Sequence, residues 1–360
     1  MTIHGGKLTL KPALSFRRIK LVLFFGLVMT SFGILLVTVG GSWDITNHLL
    51  NKPETFFSPP HALLYIGVAI ALIGTIVSFF TWRIISDKQN FKSSILISLL
   101  GMALLIGAGP FDFVWHSNFG LDGLLSPPHL TLISGMLLTA IGSLVGIFKF
   151  IKEKNDSRFN YLSVLAVLPI WLSASGLFHS GSLPFSNTEF FNFNPDPTFA
   201  VLFASVAFPF LVSFCLLLGS TVSKYQFGVL SVTGFLFLLV SSFTAILPNS
   251  AILFTIPFYF LSLIPIISAD LLLRFAKTHK QSVLFVGGIL GASFLVIYFP
   301  LTTFTYNEIL TQQTVWPSLI PQVYFQMITD IFLITLIPAV VMGIVGMTLA
   351  KRICNKILAS

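Results

Sequence analysis

The chain has 360 residues, 55% of them hydrophobic and only 9% charged, with a formal net charge of +8. A soluble domain carries about a quarter charged residues, so this composition excludes water as the main solvent. The basic excess does not imply a nucleic-acid partner, because no nucleic-acid motif accompanies it and its distribution follows membrane topology.

In chain order, a basic leader holding Lys7, Lys11, Arg17, Arg18 and Lys20 precedes the first apolar run. Runs of membrane-spanning length then recur near residues 21–41, 61–82, 94–111, 129–149, 161–180, 198–221, 227–247, 251–273, 282–303 and 328–350, since about 20 apolar residues in a helix cross the hydrocarbon core. This pattern predicts an all-α polytopic transmembrane bundle of about ten spans. The first run is long for the apolar stretch of a signal peptide and is read as a retained anchor.

Basic residues fall almost entirely after even-numbered spans: Arg83, Lys88 and Lys92; Lys149, Lys152, Lys154 and Arg158; Lys224; Arg274, Lys277 and Lys280; and Lys351, Arg352 and Lys356. Only Lys52 lies in an odd-numbered connection. By the positive-inside rule both termini are expected in the cytoplasm of a cell-membrane protein. The predicted organisation is a basic N-terminus over 1–20, a motif-bearing membrane region over 21–150, a second membrane region of about six spans over 151–350, and a cytoplasmic tail over 351–360. Cys215 and Cys354, one within a span and one in the tail, are read as structural.

One internal repeat stands out. The segment from Trp43, WDITNHLLNKPETFFSPPHALLYIG, aligns without a gap to FDFVWHSNFGLDGLLSPPHLTLISG from Phe111. Both read Asp-x3-His-x12-His, giving Asp44, His48 and His61 in the first copy and Asp112, His116 and His129 in the second. Residues four apart share one helix face, so each Asp and its first His are able to chelate one ion, with the third ligand supplied by the next helix. Ser58 and Ser126 are expected as N-caps, followed by prolines suited to the first turn. Glu54 and Asp122 are expected as acceptors for the ligand imidazoles or as a fourth ligand. Two imidazoles and a carboxylate admit copper, zinc or iron.

These residues resemble the C subunit of the copper-dependent membrane monooxygenases, the particulate methane and ammonia monooxygenases. Asp112, Trp115, His116, Asp122, Ser126, Pro127 and His129 are similar to that family's Asp-x3-His-x12-His motif, including the Trp before the first His. The family carries a second motif, Asn-x3-His followed by a more distant His, in tandem; here both copies begin with Asp. The resemblance covers roughly residues 20–150. It implies copper at the outer side of the membrane, O2-dependent oxidation of a small apolar or weakly polar substrate, and further membrane subunits or a homo-oligomer as partners besides the lipid bilayer. From the residues alone, two other classes stay open: non-catalytic binding or transport of copper or zinc, and a zinc-dependent membrane hydrolase.

The remaining spans offer less. His179 and Asp196 repeat the separation of Asp112 from His129 and are the additional candidate ligands. Asp270 and Arg274 are expected to form a helix-surface ion pair. Prolines 169, 209, 257, 265, 300 and 338 fall within or near spans, where they either kink a cavity wall or are tolerated because neighbouring helices satisfy the freed carbonyls.

Overall fold

The computed structural model describes residues 12–49, 52, 55–120, 124–182, 197–275, 280–298 and 320–359. Every regular element among them is helical. Nine helical stretches there are long and apolar enough to cross a bilayer, so the chain is an all-α integral membrane bundle. Of the ninth predicted run, the described residues form an apolar stretch over Val283–Tyr298 whose last turn, Phe294–Tyr298, widens into a π-helix.

The first four helices are α1 (Pro12–Leu49), α2 (Pro59–Ile84), α3 (Lys88–Phe119) and α4 (Pro127–Lys154). At 38 and 32 residues, α1 and α3 are about 57 and 48 Å long, against about 30 Å of hydrocarbon, so their end turns extend into the interfaces. Both outrun the predicted spans because the Asp-x3-His segments continue the helix instead of forming loops.

In lipid, outward apolar residues gain little by being buried, so helix association rests on close packing of small residues. Helix α2 shows the resulting inversion: Gly67, Ala71, Gly74, Thr75 and Ser78 are buried, whereas Ile66, Ile73, Ile76 and Phe80 face outward. A Cβ placed on Gly33 of α1 would sit 2.4 Å from the Ala71 amide nitrogen, and one on Gly101 of α3 would sit 2.4 Å from that of Thr139 on α4. Gly67 meets Val37 and Gly135 meets Leu105; Gly74 meets Thr30 and Gly142 meets Ser98. The contacts of the α1–α2 hairpin thus recur in α3–α4 at the 68-residue offset of the ligand motifs.

The hairpins join along α1 and α4, which run antiparallel. From one end to the other, Lys20 pairs with Glu153, Phe24 stacks on Phe150, and Leu27 packs against Gly146. At the basic end, Lys20 also approaches Asp87 at 3.7 Å, Asn90 donates to Glu153, and the buried Lys149 ammonium donates to the Asn90 carbonyl.

Behind this layer lie α5 (Leu162–Ser180), α6 (Pro197–Val222) and α7 (Val229–Ile246). The eighth run is broken. It proceeds as a 3-10 turn over Ser250–Thr255, α8 (Ile256–Tyr259), a second 3-10 turn over Phe260–Ser262, and α9 (Leu263–Phe275). Pro257 and Pro265 lack the N–H that a continuous helix needs, consistent with the break falling there. Helices α10 (Lys280–Ser293) and α11 (Ile320–Ala359) close the bundle through Gly287 against Gly343 and Gly291 against Ala339.

Asp270 departs from the sequence expectation. It is buried on α9, and its Oδ2 accepts hydrogen bonds from Gly228 N at 2.9 Å, Ser231 N at 3.0 Å and Ser231 Oγ at 2.7 Å. The carboxylate therefore caps the N-terminus of α7, where unsatisfied amides and the helix dipole favour an anion. Arg274 instead lies over the Phe227 ring.

Two outcomes follow for thermal unfolding in detergent. Gly101→Val is expected to destabilise the chain by about 1–3 kcal/mol, because backbone occupies the space its side chain needs. Asp270→Ala is expected to cost about 2 kcal/mol by stranding the α7 amides; a melting temperature equal to that of the parent would disprove either assignment.

Candidate metal centre

Four helix ends converge at the end of the bundle opposite the Lys20 and Glu153 pair. The last turns of α1 and α3 present Asp44 with His48 and Asp112 with His116; the first turns of α2 and α4 present His61 and His129. Pro59 and Pro60, like Pro127 and Pro128, occupy the first two helical positions, which puts each His at the third.

Within the first hairpin, His61 Nε2 lies 2.9 Å from Asp44 Oδ1 and His48 Nε2 lies 3.7 Å from Asp44 Oδ2. Within the second, Asp112 Oδ1 is 3.4 Å from both His116 Nε2 and His129 Nε2. The two sets are not separate. His48, His116 and His129 each offer a ligand atom within 4.8 Å of one another, and His48 belongs equally to a group with Asp44 and His61. Ring centroids of His48 lie 5.5 Å from His116 and 5.8 Å from His129. The tandem motifs thus form one composite cluster with His48 as its shared member.

The other ring nitrogens hold the imidazoles in place. His61 Nδ1 is 3.0 Å from the Thr55 carbonyl, His116 Nδ1 is 2.8 Å from the Gly120 carbonyl, and His129 Nδ1 is 2.9 Å from Ser126 Oγ. A carbonyl only accepts, so neutral His61 and His116 carry their proton on Nδ1 and turn the Nε2 lone pair toward the cluster. This is the usual arrangement for a metal-binding histidine.

Asp112 Oδ1 is buried and receives no hydrogen bond of good geometry. Its two 3.4 Å approaches to imidazole nitrogens are long for charge-assisted hydrogen bonds, yet they match the roughly 3.3 Å edge of a tetrahedron with metal–ligand bonds of about 2.0 Å. A buried carboxylate oxygen held only by two such long approaches is costly, and a cation within reach of these donors lowers that cost. The donor set therefore permits metal binding.

Ser58 and Ser126 occupy the N-cap positions, but neither side chain caps its helix. Such a side chain normally accepts from the second or third amide, and the second here is a proline without an N–H. Ser126 bonds His129 instead. Trp115 packs with Phe111 and Phe119 at ring distances of 6.1 and 4.6 Å. The expected partners Glu54 and Asp122 lie outside the described residues, as does Asp196.

His179 is partly buried on α5, 4.9 Å from the Phe208 ring, and belongs to no ligand group among the described residues. It lines a cavity of about 160 Å³ that also touches Asp44 and His129.

The motif reading did not anticipate the backbone acceptors. The clearest signal for one is Gly120, which ends α3 at φ +74° and ψ −170°, a conformation open to glycine almost alone. Its N–H donates to the His116 carbonyl while its own carbonyl receives His116 Nδ1, so one residue ends the helix and orients the ligand.

Fold and site together define an integral membrane helical bundle with a composite His/Asp cluster at one end. Comparison with protein-family models, with curated proteins and with solved structures gives no match.

Replacing Gly120 by Ala is expected to cost about 1–3 kcal/mol, since a Cβ disfavours that backbone conformation. Thermal unfolding of Gly120→Ala beside Gly107→Ala, where an added Cβ meets open space, checks the point. Equal losses in both variants would refute it.

Proposed function

We propose that this chain is a copper-binding membrane protein, related in its site to the C subunit of the particulate methane and ammonia monooxygenases, and that it oxidises a small apolar or weakly polar substrate with O2. The observation that carries this reading is the convergence of His48, His116 and His129, drawn from three helices, with Asp44, His61 and Asp112 beside them.

In this reading the two hairpins are duplicated units, each contributing one Asp-x3-His-x12-His ligand set. The matching glycine contacts support that origin, because duplication preserves packing together with ligands. The cluster faces the extracytoplasmic side and both termini the cytoplasm. Support comes from charge: Lys20, Arg83, Lys88, Lys92, Lys149, Lys152 and Lys154 all sit at the ends of α1–α4 remote from the histidines.

Bound copper supplies the capacity to exchange single electrons with O2. The protein's part follows from its own geometry. Asp44 and Asp112 offset the positive charge of an ion that apolar helices would otherwise exclude. The Thr55 and Gly120 carbonyls and the Ser126 hydroxyl fix the rings, so that little reorganisation accompanies binding. The adjoining cavity gives a small substrate a place next to Asp44 and His129. Electrons come from a separate donor, and further membrane subunits or a second copy of the chain are the proposed partners.

The donor set itself favours a second reading. Imidazole and carboxylate without thiolate or thioether also suits zinc, in a hydrolase or a non-catalytic carrier.

Metal analysis with electron paramagnetic resonance on natively purified protein separates them. The wild type is expected to hold copper with an imidazole-coordinated Cu(II) signal, and the His116→Ala/His129→Ala double variant to lose most of both. Unchanged copper in the double variant would end the site assignment, and zinc alone in the wild type would transfer support to the second reading.

A further inference from the structure

The cavity beside the cluster has an unusual wall. Its apolar side chains include Leu172, Ile133 and Phe237, and hydroxyl groups are interspersed among them. Five of these hydroxyls are occupied locally: Thr38 donates to the Leu35 carbonyl, Thr46 to the Ser42 carbonyl, Ser173 to the Pro169 carbonyl, and Ser42 pairs with Thr244 at 2.9 Å. Ser175 differs. It is 4% exposed, it lines the cavity, and its Oγ has no hydrogen-bond partner. A serine within a helix ordinarily returns its hydroxyl to a carbonyl one turn back, as Ser173 does, so a buried hydroxyl left unpaired calls for an explanation.

His179 lies four residues after Ser175 and lines the same cavity, so α5 directs both side chains to one face. Asp44 and His129 of the metal cluster line it as well. Asp44 is the only carboxylate in the lining, which holds no Lys or Arg, and two histidines already approach it. A charged ligand would enter without a counter-ion, whereas a neutral one would not incur that cost. Size narrows the class further: an apolar cavity of about 150 Å³ accommodates benzene, and this one measures about 160 Å³.

We infer that the cavity is a binding site for a neutral molecule of about seven non-hydrogen atoms, with an apolar body and a single hydroxyl or carbonyl group that bonds Ser175 beside His179. As the substrate pocket of the cluster, this inference rests on the metalloprotein reading; as a binding site, it stands on the cavity and on Ser175.

Phenol and toluene form a suitable probe pair, nearly equal in shape and differing in one hydroxyl. Saturable binding of each is measured by calorimetry on detergent-solubilised full-length chain, with Gly176→Leu, which fills the cavity wall, as the blocked reference. The wild type is expected to bind both probes and Gly176→Leu neither. Ser175→Ala is expected to weaken phenol about tenfold, the size of one lost hydrogen bond, and to leave toluene within about twofold. Equal weakening of the two probes, or phenol uptake by the wild type no greater than by Gly176→Leu, would overturn the inference. Running the series on chelator-stripped protein keeps the two readings apart. Phenol selectivity that persists there supports the cavity whatever the copper content, and its loss there, with copper binding intact on reloading, counts against the cavity alone.

Discussion

Backbone-to-backbone approach of the helices is the constraint from which the rest of this molecule follows. Where Gly33 meets Ala71 and Gly101 meets Thr139, a single added carbon would collide with the neighbouring main chain. Contact that close fixes the axial register of each hairpin. Because α1 and α3 run unbroken into their ligand-bearing turns, the register at the glycines is also the register at Asp44, His48, Asp112 and His116. A metal centre tolerates errors well below 1 Å in ligand position. Small residues deliver that precision in a membrane, where the hydrophobic effect does not drive helices together.

The contact of α1 with α4 adds the second condition. Without it there would be two Asp/His sets on two hairpins; with it, His48 is brought against His116 and His129. The ladder from Lys20 and Glu153 through the Phe24 and Phe150 stack holds this seam at the far end, so the basic interface and the histidine cluster are mechanically linked through the same two helices. The second membrane region supplies what the first lacks, a wall. Helices α5 and α7 place Ser175, His179 and Phe237 around the cavity whose near side is formed by Asp44 and His129.

Polar groups inside the bundle divide into two kinds. Asp270 accepts three hydrogen bonds on Oδ2 at the start of α7, and its role is to satisfy a helix end away from water. Asp112 Oδ1 and Ser175 Oγ, like the hydroxyls of Ser78, Ser98, Ser220 and Ser262, are buried without such hydrogen bonds.

Much of this was legible in the amino-acid sequence. Hydropathy gives membrane helices directly, because apolar length alone decides whether a helix matches the bilayer. The i, i+4 spacing of Asp44 with His48 and of Asp112 with His116 puts each pair on one helix face, since helical geometry is the same wherever the helix lies. The Ser-Pro-Pro-His runs correctly place His61 and His129 in first turns, although not the failure of the Ser58 and Ser126 side chains to cap their helices. The ion pair expected of Asp270 and Arg274 was misread for the same reason that local rules succeed elsewhere: spacing records which residues share a face, not what packs against it. The sharing of His48 between two ligand groups, the carbonyls that orient the imidazoles, and the meeting of α5 with the cluster around one cavity were decided only by tertiary structure. Each joins residues distant in the chain, and the helix packing that brings them together depends on contacts between side chains and backbone that no single segment contains.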